Sequence, residues 1–435
     1  MTRAYRNLWS AAAIGLVATM SLTGCGTASN GSSNSNSSQK SVNITFSWWT
    51  NPTRTKETQQ AISLFEKKYP NIHVTMEYMP WDGYWSKMAT EAAAGSAPDV
   101  MQMDGSVLDE YVTKNQLMDL GTTSVDSSGL AKDVVQLGDV NGKLYAIPAA
   151  VNALAMVYNP ALLKQAGVSF DPSKNYTWDD FAKLCEEIHQ KLPNVYGATD
   201  EIYNEAELAY WARCNGEQMY ATDGKSLAIS KKTLTNWFTY WLNLQKDGGV
   251  PTAQLNAAYN HDDGQTNPFD KSQVAFTSMF IGEDVEYQQY LGKPIVRTML
   301  PDWGDSNKPY SVHPAMYWSM SSTTKYPKQA AELINFLEND PQVSKIFLNE
   351  RGVTANTSNM EADSKLGNST VATQDTFMKQ VEQVSSPTPL DPPAGSNVTT
   401  ILQTIGQEVT YGKLTPSQAA DQFTTQANQV LSQNS

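Results

Sequence analysis

The stretch Ile44–Val74, "ITFSWWTNPTRTKETQQAISLFEKKYPNIHV", decides the fold. Val42, Ile44, Phe46 and Trp48 alternate with Asn43, Thr45 and Ser47, the period of two that marks a strand. Ala61, Ile62, Phe65 and Tyr69 then recur at helical spacing, and Pro70-Asn71 supplies the stop. Ile72, Val74 and Met76 alternate again. Strand, helix, strand in this order is a βαβ unit with parallel pairing. Alternation also sends the adjacent Trp48 and Trp49 to opposite faces, so both cannot enter the same side of one core.

The alternation of elements continues outward. Tyr84 to Ala94 reads as a helix closed by Gly95, "DVMQM" (99–103) as a short buried strand, and Val107 to Asn115 as another helix. "GKLYAIPAA" (142–150) reads as a hairpin arm and "ALAMVYN" (153–159) as a strand, after which Asn159-Pro160 opens a helix. Thr177 followed by Asp180 is a capping-box start for a helix through Leu192. Helices follow over Tyr203 to Cys214 and Lys231 to Lys246. Strands are expected at "KSQVAFTSMF", "PIVRTMLP" and "MYWSMSS", and helices over 329–338, 375–384 and 418–431. No repeat and no Gly- or Pro-rich linker divides the chain, so two lobes would be joined by several crossings, which is a hinge and not a string.

Residues 1–24 form an export signal, with Arg3 and Arg6 ahead of a mostly apolar run from Leu8 to Leu22. That run is too short and polar for a membrane span. It ends in Leu22-Thr23-Gly24-Cys25, which resembles a bacterial lipobox and implies lipidation of Cys25. Gly26 to Ser41, "GTASNGSSNSNSSQKS", has one Ala as its only apolar side chain and is a flexible tether. Removing Arg3 and Arg6 with the signal leaves 29 basic residues against 44 acidic ones. Such an acidic balance speaks against a nucleic-acid partner. Cys185 and Cys214 are the cysteines other than Cys25, and both fall in apolar helical patterns that favour two buried thiols over a disulfide.

The four histidines, His73, His189, His261 and His313, are not at metal-ligand spacing, and there is no Cys-x-x-Cys, Gly-x-Ser-x-Gly or phosphate loop. No cofactor and no metal is expected. Aromatic rings are more telling. Trp237, Phe238 and Trp241 form a core-like helical stripe, and Trp85 and Trp178 also read as structural. Trp48, Trp49 and Trp81 lie at or beyond strand C-termini, where open parallel sheets bind ligands. Asp104 follows "DVMQM" at the same place. Trp211 rides a helix, Trp303 lies in "PDWGD", and Tyr317 and Trp318 cannot share one face of a strand. Aromatic planes cover the C–H face of a pyranose while Asp, Asn, Glu or Arg take its hydroxyl rim. Arg54 adds a fork for paired hydroxyls or a carboxylate.

The ordered pieces "AISLFEKKYPNIHVTMEY", "YWSKMATEAAAGSAPDVMQMD", "GKLYAIPAAVNALAMVYNPALLKQAG", "TWDDFAKLCEEI", "QVAFTSMF", "MYWSMSSTTKYPKQAAELINFLENDP" and "RGVTAN" resemble the carbohydrate-binding family 1 of extracellular solute-binding proteins of ABC importers. The resemblance implies an α/β, two-lobed, periplasmic-binding-protein-like fold of type II with a hinge of several crossing segments. It allots 42–150 and 301–340 to lobe 1, and 151–300 and 341–435 to lobe 2. It implies a non-enzymatic oligosaccharide receptor, lipid-anchored outside the cell membrane, monomeric, and serving permease subunits. A secreted glycoside hydrolase or lyase is the alternative. "SWWTNPTRTKE" resembles members that take polysaccharide fragments, acidic ones included. Where members carry a Gly-x-Trp after the strand matching "AFTSMF", this chain has Ile281-Gly282-Glu283, so Glu283 or Asp284 is expected to meet hydroxyls instead.

Overall fold

The computed structural model describes residues 41–258, 267–283, 287–288, 291–304, 307–386, 392 and 394–433. The export signal, Cys25, most of the tether, His261 and Asp284 lie outside them.

The opening stretch folds as its periods require. Strand β1 (Val42–Trp49) pairs in parallel with β2 (Ile72–Met79), Val42 opposite Ile72 and Trp49 opposite Met79. Helix α1 (Pro52–Lys68) connects them and buries Ala61, Ile62 and Phe65, the residues whose spacing announced it. Asn51 caps α1 by accepting a hydrogen bond from Arg54 N at 2.8 Å, and Pro52 occupies the first turn, where its missing N–H costs nothing. Helix α2 (Trp81–Ala93) starts three residues earlier than its apolar spacing suggested, and α3 (Gly105–Thr113) follows β3 (Val100–Met103).

The remaining strands are β4 (Asp139–Val140), β5 (Lys143–Leu144), β6 (Ala146–Asn152), β7 (Leu154–Tyr158), β8 (Tyr196–Ala198), β9 (Val274–Phe280), β10 (Val296–Thr298), β11 (His313–Met320) and β12 (Val353–Thr354). Among the described residues they form a six-stranded sheet of order β12-β6-β11-β3-β1-β2, a four-stranded sheet of order β10-β7-β9-β8, and the small β4–β5 ribbon. In the first sheet β1, β2 and β3 run parallel, while β11 is antiparallel to β3 and β6. In the second, β8 and β9 are parallel and β7 is antiparallel to β9.

The chain passes between the sheets where β6 ends at Asn152 and β7 begins at Leu154. Beside this crossing Ile281 N donates to Ala153 O at 3.1 Å. Gly282 lies where a Cβ would stand 3.6 Å from Asn152 Nδ2 and 3.7 Å from Gly352 Cα. Gly352 itself has φ +107°, and a Cβ there would meet Ala315 Cβ at 2.8 Å. The helix Pro341–Phe347 packs on α1 and on the helix Pro327–Asn339, and β12 pairs with β6. Residues 341–354 therefore accompany the first sheet, whereas the family resemblance allots 341–435 to the second lobe.

The Thr177–Asp180 capping box forms as read, and Cys185 and Cys214 are separate buried thiols. The strand β8, the helices Pro341–Phe347, Thr357–Asp363 and Gly395–Thr410, and β12 were not foreseen. No helix among the described residues is long and apolar enough to cross a membrane.

Strand β8 is held tightly under the helix Trp178–Lys191. A Cβ on Gly197 would stand 2.1 Å from Cys185 Cα, which is backbone and cannot step aside. Gly197→Ala is therefore expected to destabilise the protein by about 1–3 kcal/mol or more. Gly83→Ala, whose new methyl meets nothing closer than 3.8 Å in a helix, should be neutral or stabilising. Urea unfolding of the two variants checks the contrast.

Candidate ligand-binding site

Trp48 and Trp49 do point to opposite faces. Trp48 is fully buried and stacks on Phe46 at 4.9 Å and on Tyr78 at 5.0 Å between ring centroids. Trp318, also buried, meets Phe46 edge-on at 5.7 Å. Tyr317 lies on the other face, buried, with its hydroxyl donating to Leu137 O at 2.7 Å. These three rings are core. Large flat side chains on the central strands of a doubly covered sheet are consumed by packing even at a strand's C-terminal end.

Trp49 belongs to the same side as Tyr317 and packs edge-on against Trp81 at 4.9 Å and near Trp85 at 5.8 Å. Trp81, at the start of α2, remains 44 % exposed. A buried anchor under an exposed ring is the arrangement a ligand-stacking plane needs. Asp104 caps α3, accepting from Ser106 N at 2.9 Å and Ser106 Oγ at 2.6 Å.

Arg54 is tied down. Its Nε donates to Glu350 Oε2 at 2.9 Å, and Asn51 Nδ2 donates to Glu350 Oε1, also at 2.9 Å. Beneath them Arg351 is buried over the Phe347 ring at 4.2 Å and donates to Thr58 Oγ1 at 2.6 Å. Burial, with Arg54 nearby, pulls the Arg351 guanidinium down to about 9. Burial and then Glu350 push the Glu57 carboxyl up to about 7. The guanidinium expected to meet ligand is instead one half of a clamp between the start of α1 and the 350–351 turn.

In the second lobe Trp211 is buried, 5.0 Å from Trp178 and 5.6 Å from Trp237. Trp303 covers it edge-on at 5.0 Å and is 36 % exposed. Among the described residues no ring contact joins this group to the Trp49–Trp81–Trp85 group.

A polar hollow in the structure was not foreseen. A cavity of about 330 Å³ opens where the parallel strands β8 and β9 end, the place where open α/β sheets bind ligands. Asp200 and Glu201, just past β8, and Ser278, Phe280 and Glu283, at and past β9, form its wall. Asn204, Glu205, Asn267, Tyr287 and Thr399 add to its polar lining. None of the nine residues singled out from the sequence lines it, whereas Glu283, which the family resemblance had offered in place of a missing ring, does.

The acids are fixed by local structure. Asn204 caps the helix Glu205–Cys214, accepting from Ala206 N and Glu207 N, so Glu205 and Glu207 fall in a first turn where negative charge is favoured. Asn204 Nδ2 and Thr199 Oγ1 both donate to the Glu201 carboxylate. Ile202 N and Asn256 Nδ2 donate to Asp200 at 3.2 and 2.9 Å. Tyr220 and Thr399 hydroxyls donate to the two oxygens of Glu205 at 2.5 and 2.8 Å. Burial pushes Asp200 up to about 8 and raises Glu205. Glu207, buried behind Glu201 and Ser278, is held well above the carboxylate range, chiefly by burial and then by Glu201. The signal for this site was present in "TDEIYNEAE" (199–207), four acids around a helix cap directly after a strand. A search for rings passed over it.

The fold is a two-lobed α/β architecture with a polar cavity at strand ends. The chain belongs to the bacterial extracellular solute-binding protein family, whose model matches residues 60–375. It is 27 % identical over 213 residues to the multiple sugar-binding protein of Streptococcus mutans, an alignment covering 46 % of this chain and 49 % of that one. The alignment thus spans about half the length of that relative. The family 1 extracellular solute-binding protein of Alicyclobacillus acidocaldarius superposes with a TM-score of 0.75 at 29 % identity, over 91 % of this chain and all of the other. A periplasmic oligogalacturonide-binding protein of Yersinia enterocolitica, solved with saturated digalacturonic acid, shares the fold with a TM-score of 0.75 at 24 % identity, over 90 % of this chain and 99 % of its own.

For an acid whose folded pKa lies above its unfolded value, stability is full below the unfolded value and is lost as pH rises through the folded one. Asp200 spans 3.8 to about 8 in this way, and Glu57 spans 4.5 to about 7. His313, pushed down to about 4 by burial, opposes them only below its ordinary 6.5. The melting temperature of the ligand-free protein is therefore expected to fall between about pH 6.5 and about pH 8. Asp200→Asn should flatten that slope, as read by calorimetry across the range.

Proposed function

We propose that this protein is an oligosaccharide receptor of an ABC importer, which performs no chemistry on its ligand. The observation that carries the reading is the polar cavity at the ends of β8 and β9, in a chain of a solute-binding family. Carboxylates, amides and hydroxyls fixed by caps and side-chain hydrogen bonds suit the rim of a sugar. Trp81 and Trp303 offer exposed rings, each backed by a buried indole, for its C–H face. The names of the sugar-binding relatives agree with this chemistry.

In this reading the lobes are built on the two sheets, with 341–354 joining the first. Sugar held by one lobe and capped by the other favours the closed state by its affinity difference between closed and open forms. The closed form then docks on permease subunits. Residues 1–24 direct export, Cys25 carries the lipid, and 26–41 tether the receptor as a monomer to the outer face of the cell membrane.

Purified protein is expected to bind a short oligosaccharide, to become more compact by small-angle scattering when it does, and to return the sugar intact. Ligand at about 100 times its dissociation constant should add roughly 2.7 kcal/mol to stability. Trp81→Ala should weaken binding about tenfold, with the fold intact by circular dichroism. Binding without compaction would remove the hinge from this account, and cleaved sugar would restore the hydrolase.

A further inference from the structure

We infer that the cavity selects an uncharged, hydroxyl-rich sugar and rejects uronate-containing ones. The inference rests on the sugar-receptor reading above and names the ligand class of that same site.

The first argument is the charge of the wall. Asp200, Glu201, Glu205 and Glu283 line the cavity, and no Lys, Arg or His does so among the described residues. Glu207 adds a fifth carboxyl close behind the wall, fully buried beside Ser278. A ligand carboxylate entering here would face acids and find no cation.

The second argument is the disposition of arginine. Beyond the export signal the chain has four arginines, Arg54, Arg213, Arg297 and Arg351. Planar guanidinium forks are the usual partners of carboxylates. Each of the four is committed elsewhere: Arg54 to Glu350, Arg351 to Thr58, Arg213 to Pro309 O at 2.6 Å, and Arg297 over the Phe377 ring at 5.9 Å. None of the four lines the cavity. Arg54, whose place in "SWWTNPTRTKE" hinted at an acidic ligand, holds Glu350 here.

The third argument is what the acids offer. Protein donors already occupy part of Asp200, Glu201 and Glu205 and fix their orientation. Their remaining lone pairs are acceptors, which hydroxyl groups satisfy and carboxylates do not. Burial pushes Asp200 up to about 8 and raises Glu205, which weakens their pull on an arriving ammonium and favours a neutral ligand over an amino sugar. The shared fold with a protein that was solved with digalacturonic acid makes the contrast sharp.

The test is calorimetric titration of the full exported chain with matched sets of short oligosaccharides: neutral, uronate and amino forms of the same backbones, at low and high salt. At least one neutral sugar should bind, its affinity should be insensitive to salt, and its uronate counterpart should bind about 100-fold or more weakly. Glu283→Lys, an exposed position that can change without disturbing the core, should narrow that gap. A uronate or amino form binding as tightly as its neutral counterpart, or tighter, overturns the inference while leaving the receptor intact. Failure of every sugar, in protein shown to be folded, overturns the receptor reading itself.

Discussion

A strand has two faces, and the central β1 commits both. One carries Phe46 and Trp48 into the core that α1 and Trp318 close, and the other carries Trp49 toward Trp81 and Trp85. With β2 and β3 paired on either side, the sheet must be covered above and below. The clamp of Asn51 and Arg54 on Glu350 then fixes where α1 begins.

The second lobe reaches a different result from the same rule. Its parallel pair, β8 and β9, ends in polar loops, and the hollow beyond it is lined by acids held in capping interactions. The two lobes are thus chemically unlike at equivalent places: indole planes beyond β1 and β2, carboxyls and amides beyond β8 and β9. A ligand with one apolar face and a hydroxyl rim is matched by that division of labour.

The fold was largely legible because it rests on periodicity. The βαβ start, the Thr177–Asp180 box and the helix Lys231–Lys246 were all readable from residue spacing. Strands of two or three residues such as β12 and β8 carry too little pattern to show a period. The site was less legible. Trp48, Trp211, Tyr317 and Trp318 had the right positions along the chain, but a ring near a strand end packs inward when a neighbouring ring can receive it, and that neighbour is distant in sequence. Arg54 looked available because Glu350 lies 296 residues away. The acidic cavity was hidden for the opposite reason, since clustered acids are ordinary on a chain with 44 of them.

The crossing near Asn152 has a mechanical side. Gly282 and Gly352 approach one another there with no side chain of size between them. In the receptor reading, rotation of one half of the molecule about this point would turn few backbone torsions. The resting angle of such a joint would then answer to what occupies the gap.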